Sequence, residues 1–279
     1  MRKQTLVRGT AAGVPFVALP PGGEVENPGL AVGWHLMDAP RTEEAMAAAL
    51  PMAQLPAWRV YFGLPMHGSR QLPGGSDEYF QLGAEDNVLN ISKPVAEQAL
   101  AEFPAALAAV RTQLGVPDGP VGLFGGSFGA GVAQLVLLES DVDVAALALV
   151  SPLIQLAGIV ALNEQRFSVT YPWSDASRVV ADRLDFLARS DEIIAKDPAV
   201  LIVVGAADAP GVLAPAERLW GRLSERYADP ARVSLVTVPD MEHALAEEPG
   251  MEAAPQTPHA ARVDAAVTAW FDKFLGSPK

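Results

Sequence analysis

Short apolar runs bounded by glycine and proline alternate, along 279 residues, with longer stretches of helical periodicity. A strand that is apolar at successive positions, rather than at every second one, is buried on both faces. Helices between such strands are the crossovers of a parallel sheet. Residues 120–124, 142–150 and 199–204 are runs of this kind, with 30–36, 58–62 and 232–238 as further strands. Stretches at about 4–8 and 14–18 are placed to pair as an opening hairpin across Gly9 and Gly13. Helices are expected at 42–50, with Thr42 as cap and Pro51 as stop, and at 127–139, 177–189, 215–227 and 260–275. Another follows Ser92 as N-cap, where Leu100, Phe103, Leu107, Val110 and Leu114 step by three and four into one apolar stripe. Pro104 is expected to kink or divide it, and Gly115 and Pro117 to end it. Residues 63–87, rich in Gly and Pro, read as a long loop.

The stretch between 150 and 199 is longer than one crossover helix needs. Its excess reads as a small helical cap at 153–195, inserted in a core domain made of 1–152 and 196–279. The expected class is α/β, a mostly parallel central sheet flanked by helices. A chain of this length buries a large core without disulfides or metals.

Composition narrows the chemistry. A formal charge of −13 speaks against nucleic acid, an anionic membrane surface or a polyanionic substrate as partner. With no cysteine there is no disulfide, thiol nucleophile or Cys-ligated metal, and the four histidines show no metal-ligand spacing. No metal and no cofactor is expected. Met1–Thr5 is not followed by a sustained apolar stretch, and no run approaches membrane-spanning length. These features predict a soluble, cytoplasmic protein.

The segment that carries chemistry is Val121-Gly-Leu-Phe-Gly125-Gly126-Ser127-Phe128-Gly129. A buried strand expected to end at Phe124 passes directly into a helix, which forces its central residue into strained angles. Glycines two residues to either side remove the side chains that would collide. Ser127 is thereby presented at the carboxyl edge of the sheet, where such sheets bind ligands, above a helix N-terminus that favours negative charge. A serine here also serves as a plain helix cap. Phosphate cradling does not fit, since the Gly-Lys-Ser/Thr ending and the dinucleotide glycine spacing are both missing.

A serine hydroxyl attacks only when a base takes its proton and an acid orients that base. Asp208 follows the strand ending near Val204, and His243 follows the one ending at Val238. Each has a plain alternative, a helix-capping Asp and a solvated loop His. Taken together, and in the order Ser127, Asp208, His243, they match the nucleophile–acid–base order of one fold. His259 reads as surface or capping, Asp240 and Glu242 lie too near His243 in sequence, and Asp191 and Glu192 fall in the insertion.

On Gly125-Gly-Ser-Phe-Gly129, Gly205-Ala-Ala-Asp208 and Pro239-Asp-Met-Glu-His243 the chain resembles the α/β-hydrolase superfamily over nearly its full length. The resemblance implies an oxyanion loop after the third strand, here Gly33-Trp34-His35-Leu36-Met37-Asp38, with Leu36 where the family usually has glycine. It implies Phe128 as one backbone oxyanion donor and Met37 as the other, with Leu36 as second choice. His35 either orients this loop or is a satisfied core histidine. His67 and Gly68 are implied as fold features. The insertion is implied as a lid, with Phe167, Tyr171 and Trp173 as candidates either for the substrate pocket or for packing the cap. The expected activity is hydrolysis of small to medium neutral carboxylic esters through an acyl-enzyme. The alternatives are the same triad on amide, peptide, thioester or peroxide substrates, and a non-enzymatic small-molecule binder. Serine at 127 disfavours a dehalogenase, which needs a carboxylate there.

Overall fold

A computed structural model describes residues 6–275. The Met1–Thr5 segment, with the first part of the expected opening strand, lies outside the described residues. An opening hairpin of β1 (Val7–Ala11) and β2 (Val14–Leu19) leads into β3 (Gly29–Trp34), α1 (Glu43–Ala49) and β4 (Ala57–Phe62). Then come α2 (Gly75–Asn87), α3 (Lys93–Leu114), β5 (Val121–Gly126), α4 (Phe128–Glu139) and β6 (Val144–Val150). The next segment holds α5 (Leu156–Phe167), α6 (Asp175–Arg183) and α7 (Ser190–Lys196), and the chain closes with β7 (Ala199–Gly205), α8 (Pro210–Arg226), β8 (Val233–Val238) and α9 (Pro258–Leu275).

The strands form one sheet in the order β1-β2-β4-β3-β5-β6-β7-β8. β1 and β2 are antiparallel, as are β2 and β4, and every other pairing is parallel. Side chains alternate between two buried clusters, one on each face. Phe103, Val132, Leu135, Leu219 and Leu223 of α3, α4 and α8 fill the first. Met46 of α1, with Val263, Val267 and Phe271 of α9, fills the second. The buried, both-faced strands are the reason β5, β6 and β7 read as unbroken apolar runs. From β3 the chain steps one way to β4, and later enters β5 on β3's other side. The order of the sheet reverses between β3 and β5, which opens a crevice at their carboxyl ends.

Several expectations differ in detail. Residues 63–87 contain a helix, α2. It has no buried residue, so the apolar stripe that periodicity detects was never there. Ser92 is not an N-cap: it is helical, at φ −60° and ψ −46°, and makes no capping bond. The chain instead runs through a wide turn at Val88–Ser92 into α3. The break sits at Asp86 (φ −162°, ψ 99°), whose carboxylate accepts the Leu89 amide at 2.8 Å. Pro104 leaves α3 undivided; it faces solvent, where water can take up the carbonyl it frees. Helix α8 starts at Pro210 rather than Pro215, because a first-turn proline is the one that loses no helical hydrogen bond. Thr42 does cap α1, accepting the Ala45 amide at 3.1 Å. Among the described residues no helix is long and apolar enough to cross a membrane.

Phe103 anchors α3 to the sheet beneath the crevice, 1% exposed, with ring centroids 5.3 Å from Trp34 and 6.4 Å from Phe62. Phe103→Ala is expected to cost about 3–5 kcal/mol of folding stability, by lost burial plus the cavity left behind. Urea unfolding followed by circular dichroism checks this through a lower midpoint at unchanged slope.

Candidate active site

Ser127 sits between the last residue of β5 and the first of α4 at φ 48° and ψ −117°, a conformation costly for a side chain. Its surroundings hold it there. Its N–H donates to the Val150 carbonyl at 2.9 Å, and its own carbonyl accepts from Leu153 N–H at 3.1 Å and Ala130 N–H at 3.1 Å. The turn closes only because two residues lack side chains. A Cβ on Gly125 would fall 2.2 Å from the Gly129 carbonyl oxygen, and one on Gly129 would fall 2.4 Å from that of His35. The Ser127 side chain makes no helix-capping bond. Its hydroxyl lies 2.8 Å from His243 Nε2 and donates to it.

His243 comes from the loop after β8. That loop packs tightly on the loop after β7: Ala207 N–H donates to the Met241 carbonyl at 2.9 Å, and Ala206 N–H to Val238 at 2.9 Å. Asp208 is buried at the end of the β7 loop. His243 Nδ1 donates to its two oxygens at 3.0 and 3.1 Å, and Asp208 Oδ1 also accepts the Ala209 amide at 2.7 Å. The hydrogen bond at Nδ1 fixes the tautomer that leaves Nε2 free to accept from serine. Burial draws the imidazole pKa down, but the hydrogen bond and charge of Asp208, with the charge of Asp38, outweigh it. The net shift is upward.

Phe128 opens α4, so its amide has no partner within the helix. Of the two candidates on the loop after β3, Leu36 spends its N–H on the Pro40 carbonyl at 3.2 Å. Met37 has its carbonyl held by Arg41 Nη1 at 2.8 Å. The Leu36 side chain is fully buried against Gly126, where a Cβ would stand 2.2 Å from Leu36 Cδ1. His35 is a core histidine that ties two loops together. Its Nδ1 donates to Leu36 O at 2.6 Å, and its Nε2 accepts the Leu64 amide at 3.0 Å. Burial pushes its pKa down to about 3, so it stays neutral. His67 is held between the Pro65 carbonyl, at 2.8 Å, and the Tyr79 hydroxyl, at 3.2 Å.

A cavity of about 600 Å³ opens over Ser127 and His243. From the 153–195 segment it is α5 that lines it, through Ile159, Leu162, Asn163 and Arg166. Phe167, Tyr171 and Trp173 do not line this cavity. Phe167 is 62% exposed, while Tyr171 and Trp173 stack on each other at 4.8 Å and Tyr171 bonds to Asp86 at 2.5 Å. The sequence left these rings open between pocket and packing, because apolar surface lines pockets and also packs one segment on another. The lining also carries charge, with Asp38, Glu242 and Glu248 bordering it alongside Arg166. Asp38 was missed. Its only sequence signal is its position as the last residue quoted for the loop after β3.

No family model and no curated protein matches the chain. Solved structures do. A Thermus thermophilus protein superposes with a TM-score of 0.68 at 19% identity, covering 99% of this chain and 100% of its own. Carboxyl esterase 2 of the fungus Tuber melanosporum gives 0.60 at 18% identity, covering 98% and 86%. Dienelactone hydrolase from Anabaena variabilis gives 0.54 at 15% identity, covering 98% of both chains. Together with the strand order, the turn at Ser127 and the loops after β7 and β8, these likenesses place the chain in the α/β-hydrolase fold.

Proposed function

We propose that the chain is a serine hydrolase that cleaves carboxylic esters of small to medium size through an acyl-enzyme. One observation carries this reading: the continuous hydrogen-bonded line from Ser127 Oγ through both nitrogens of His243 to buried Asp208. A serine that merely capped α4 would have no need of an imidazole at 2.8 Å. Two solved structures of similar shape are an esterase and a dienelactone hydrolase by name, which agrees with the reading.

In this mechanism Ser127 Oγ attacks the ester carbonyl carbon as its proton passes to His243 Nε2. The carbonyl π electrons move to oxygen, which the Phe128 and Met37 amides receive. The tetrahedral adduct then collapses and expels the alkoxide, which takes the proton from His243. Water repeats the sequence on the acyl-enzyme, giving the free acid and restoring Ser127. Asp208 holds the ring and stabilises the imidazolium without itself being protonated. Residues 153–195 act as the cap, with α5 forming the wall of the cavity.

Ser127→Ala and His243→Ala are expected to lower kcat on 4-nitrophenyl butanoate by about 10³-fold or more. Ser127→Ala should also abolish labelling by a fluorophosphonate. Labelling that survives in Ser127→Ala would assign the nucleophile elsewhere, and labelling of the wild type without turnover of any ester would favour amide, thioester or peroxide substrates.

The base must be neutral to act, so a raised imidazole pKa moves the loss of activity to higher pH. The acid limb of kcat/KM is therefore expected above the ordinary histidine value of about 6.5. Asp208→Asn removes the hydrogen bond and charge that raise it. It should lower the rate by several orders of magnitude and shift the acid limb of the residual activity downward, as a pH–rate profile would register.

A further inference from the structure

The loop after β3 brings a second carboxylate to His243, from the side opposite Asp208. Asp38 Oδ2 stands 3.8 Å from Nε2, the nitrogen that faces Ser127. Its side chain is 48% exposed and borders the same cavity as Ser127. Of the nearby cations, Arg41 is paired with other groups, while Arg166 lines the cavity from α5. Arg41 donates through Nη1 to the Met37 carbonyl and through Nη2 to both Glu248 oxygens, at 3.0 Å each. The Arg166 guanidinium lies 5.5 Å over the Phe167 ring. Among the described residues, His243 is the one ion-pair partner Asp38 has, and only once protonated.

That placement is at odds with a neutral or anionic substrate. Negative charge develops on the carbonyl oxygen beside the Phe128 and Met37 amides, and Asp38 is the residue directly after Met37. A carboxylate there repels the developing oxyanion and repels a carboxylate on the substrate more strongly. A positive charge on the substrate, lying between the two, is attracted by both. The reacting carbonyl must come within about 3 Å of Ser127 Oγ, which itself bonds to the nitrogen that Asp38 faces. A group one or two bonds from that carbonyl is then within reach of the carboxylate.

We propose that Asp38 is a specificity-determining residue that selects esters carrying a protonated amine close to the reacting carbonyl. The inference rests on the hydrolase reading above. The chemistry is unchanged: ester and water give acid and alcohol, and the ammonium keeps its proton throughout. The amine can belong to the acyl group or to the alcohol, and Asp38 serves either. The overall charge of −13 draws cationic esters toward the protein and adds to the effect.

The test uses three 4-nitrophenyl esters of similar length that end in ammonium, methyl or carboxylate, namely 3-aminopropanoate, butanoate and hemisuccinate. A fourth substrate, 2-aminoethyl acetate, carries the amine on the alcohol side. The expected order of kcat/KM at pH 7 is ammonium above methyl above carboxylate, with about tenfold or more between the first two. Asp38→Asn should reduce the ammonium-to-methyl ratio by about tenfold. Asp38→Lys should turn the preference toward hemisuccinate. Fluorophosphonate labelling of each variant counts intact sites, so a misfolded variant is not mistaken for a lost preference. A flat charge series with butanoate still hydrolysed, or a preference unchanged in Asp38→Asn, overturns the role of Asp38 and leaves the hydrolase reading standing. If butanoate is not hydrolysed and no Ser127-dependent labelling occurs, both fall.

Discussion

The backbone of Ser127 is held in a conformation that side chains avoid, and the site exists because of what holds it. On one side its amide is bound to the end of β6, and on the other its carbonyl accepts from Leu153 and the start of α4. The passage from β5 into α4 leaves no room for side chains at Gly125 and Gly129. A strain of order 1–3 kcal/mol persists only where the surroundings determine the geometry on every side. Here three parallel strands and one helix do so, and the hydroxyl is fixed before any substrate arrives.

A fixed hydroxyl is useful only if the base is fixed to match. His243 lies on a loop, the kind of segment that varies most in position, yet this loop has little freedom. Its backbone is bonded to the β7 loop through Ala206 and Ala207, and Leu245 N–H donates to the Ala39 carbonyl at 3.0 Å. The last of these reaches the loop after β3. The loops after β3, β7 and β8 therefore share one hydrogen-bonded frame around the crevice, and the imidazole is placed against Asp208 and Ser127 by backbone contacts that ignore the identity of most loop side chains.

How much of this could be read from the chain follows from the physics of each part. The buried strands and the Gly-flanked serine were legible because burial on both faces and a crowded turn leave few residue choices. Asp208 and His243 were legible through their places after strands, and the structure brings them into contact with each other and with Ser127. Helix α2 was not, since a helix that buries nothing has no stripe. The aromatics at 171 and 173 were open between pocket and packing, because apolar surface serves both; in the structure they contact each other, and Tyr171 bonds to Asp86. Asp38 was invisible because a lone carboxylate at the end of the loop after β3 has no periodicity and no spacing. Its meaning comes only from what the fold sets 3.8 Å away.

The departure at Leu36 is absorbed by its neighbours. Its large side chain points into the core and lies on Gly126, so the extra glycine beside Ser127 makes space that glycine at 36 would not need. Its amide turns to Pro40 and its carbonyl is claimed by His35, which leaves Leu36 with no backbone group facing the crevice. That leaves Met37 as the candidate donor on which the proposed mechanism relies. Asp38, the residue after it, stands at the rim of the same cavity. The buried Leu36 side chain and the carboxylate 3.8 Å from His243 Nε2 thus belong to one short loop, held between the core on one side and the cavity on the other.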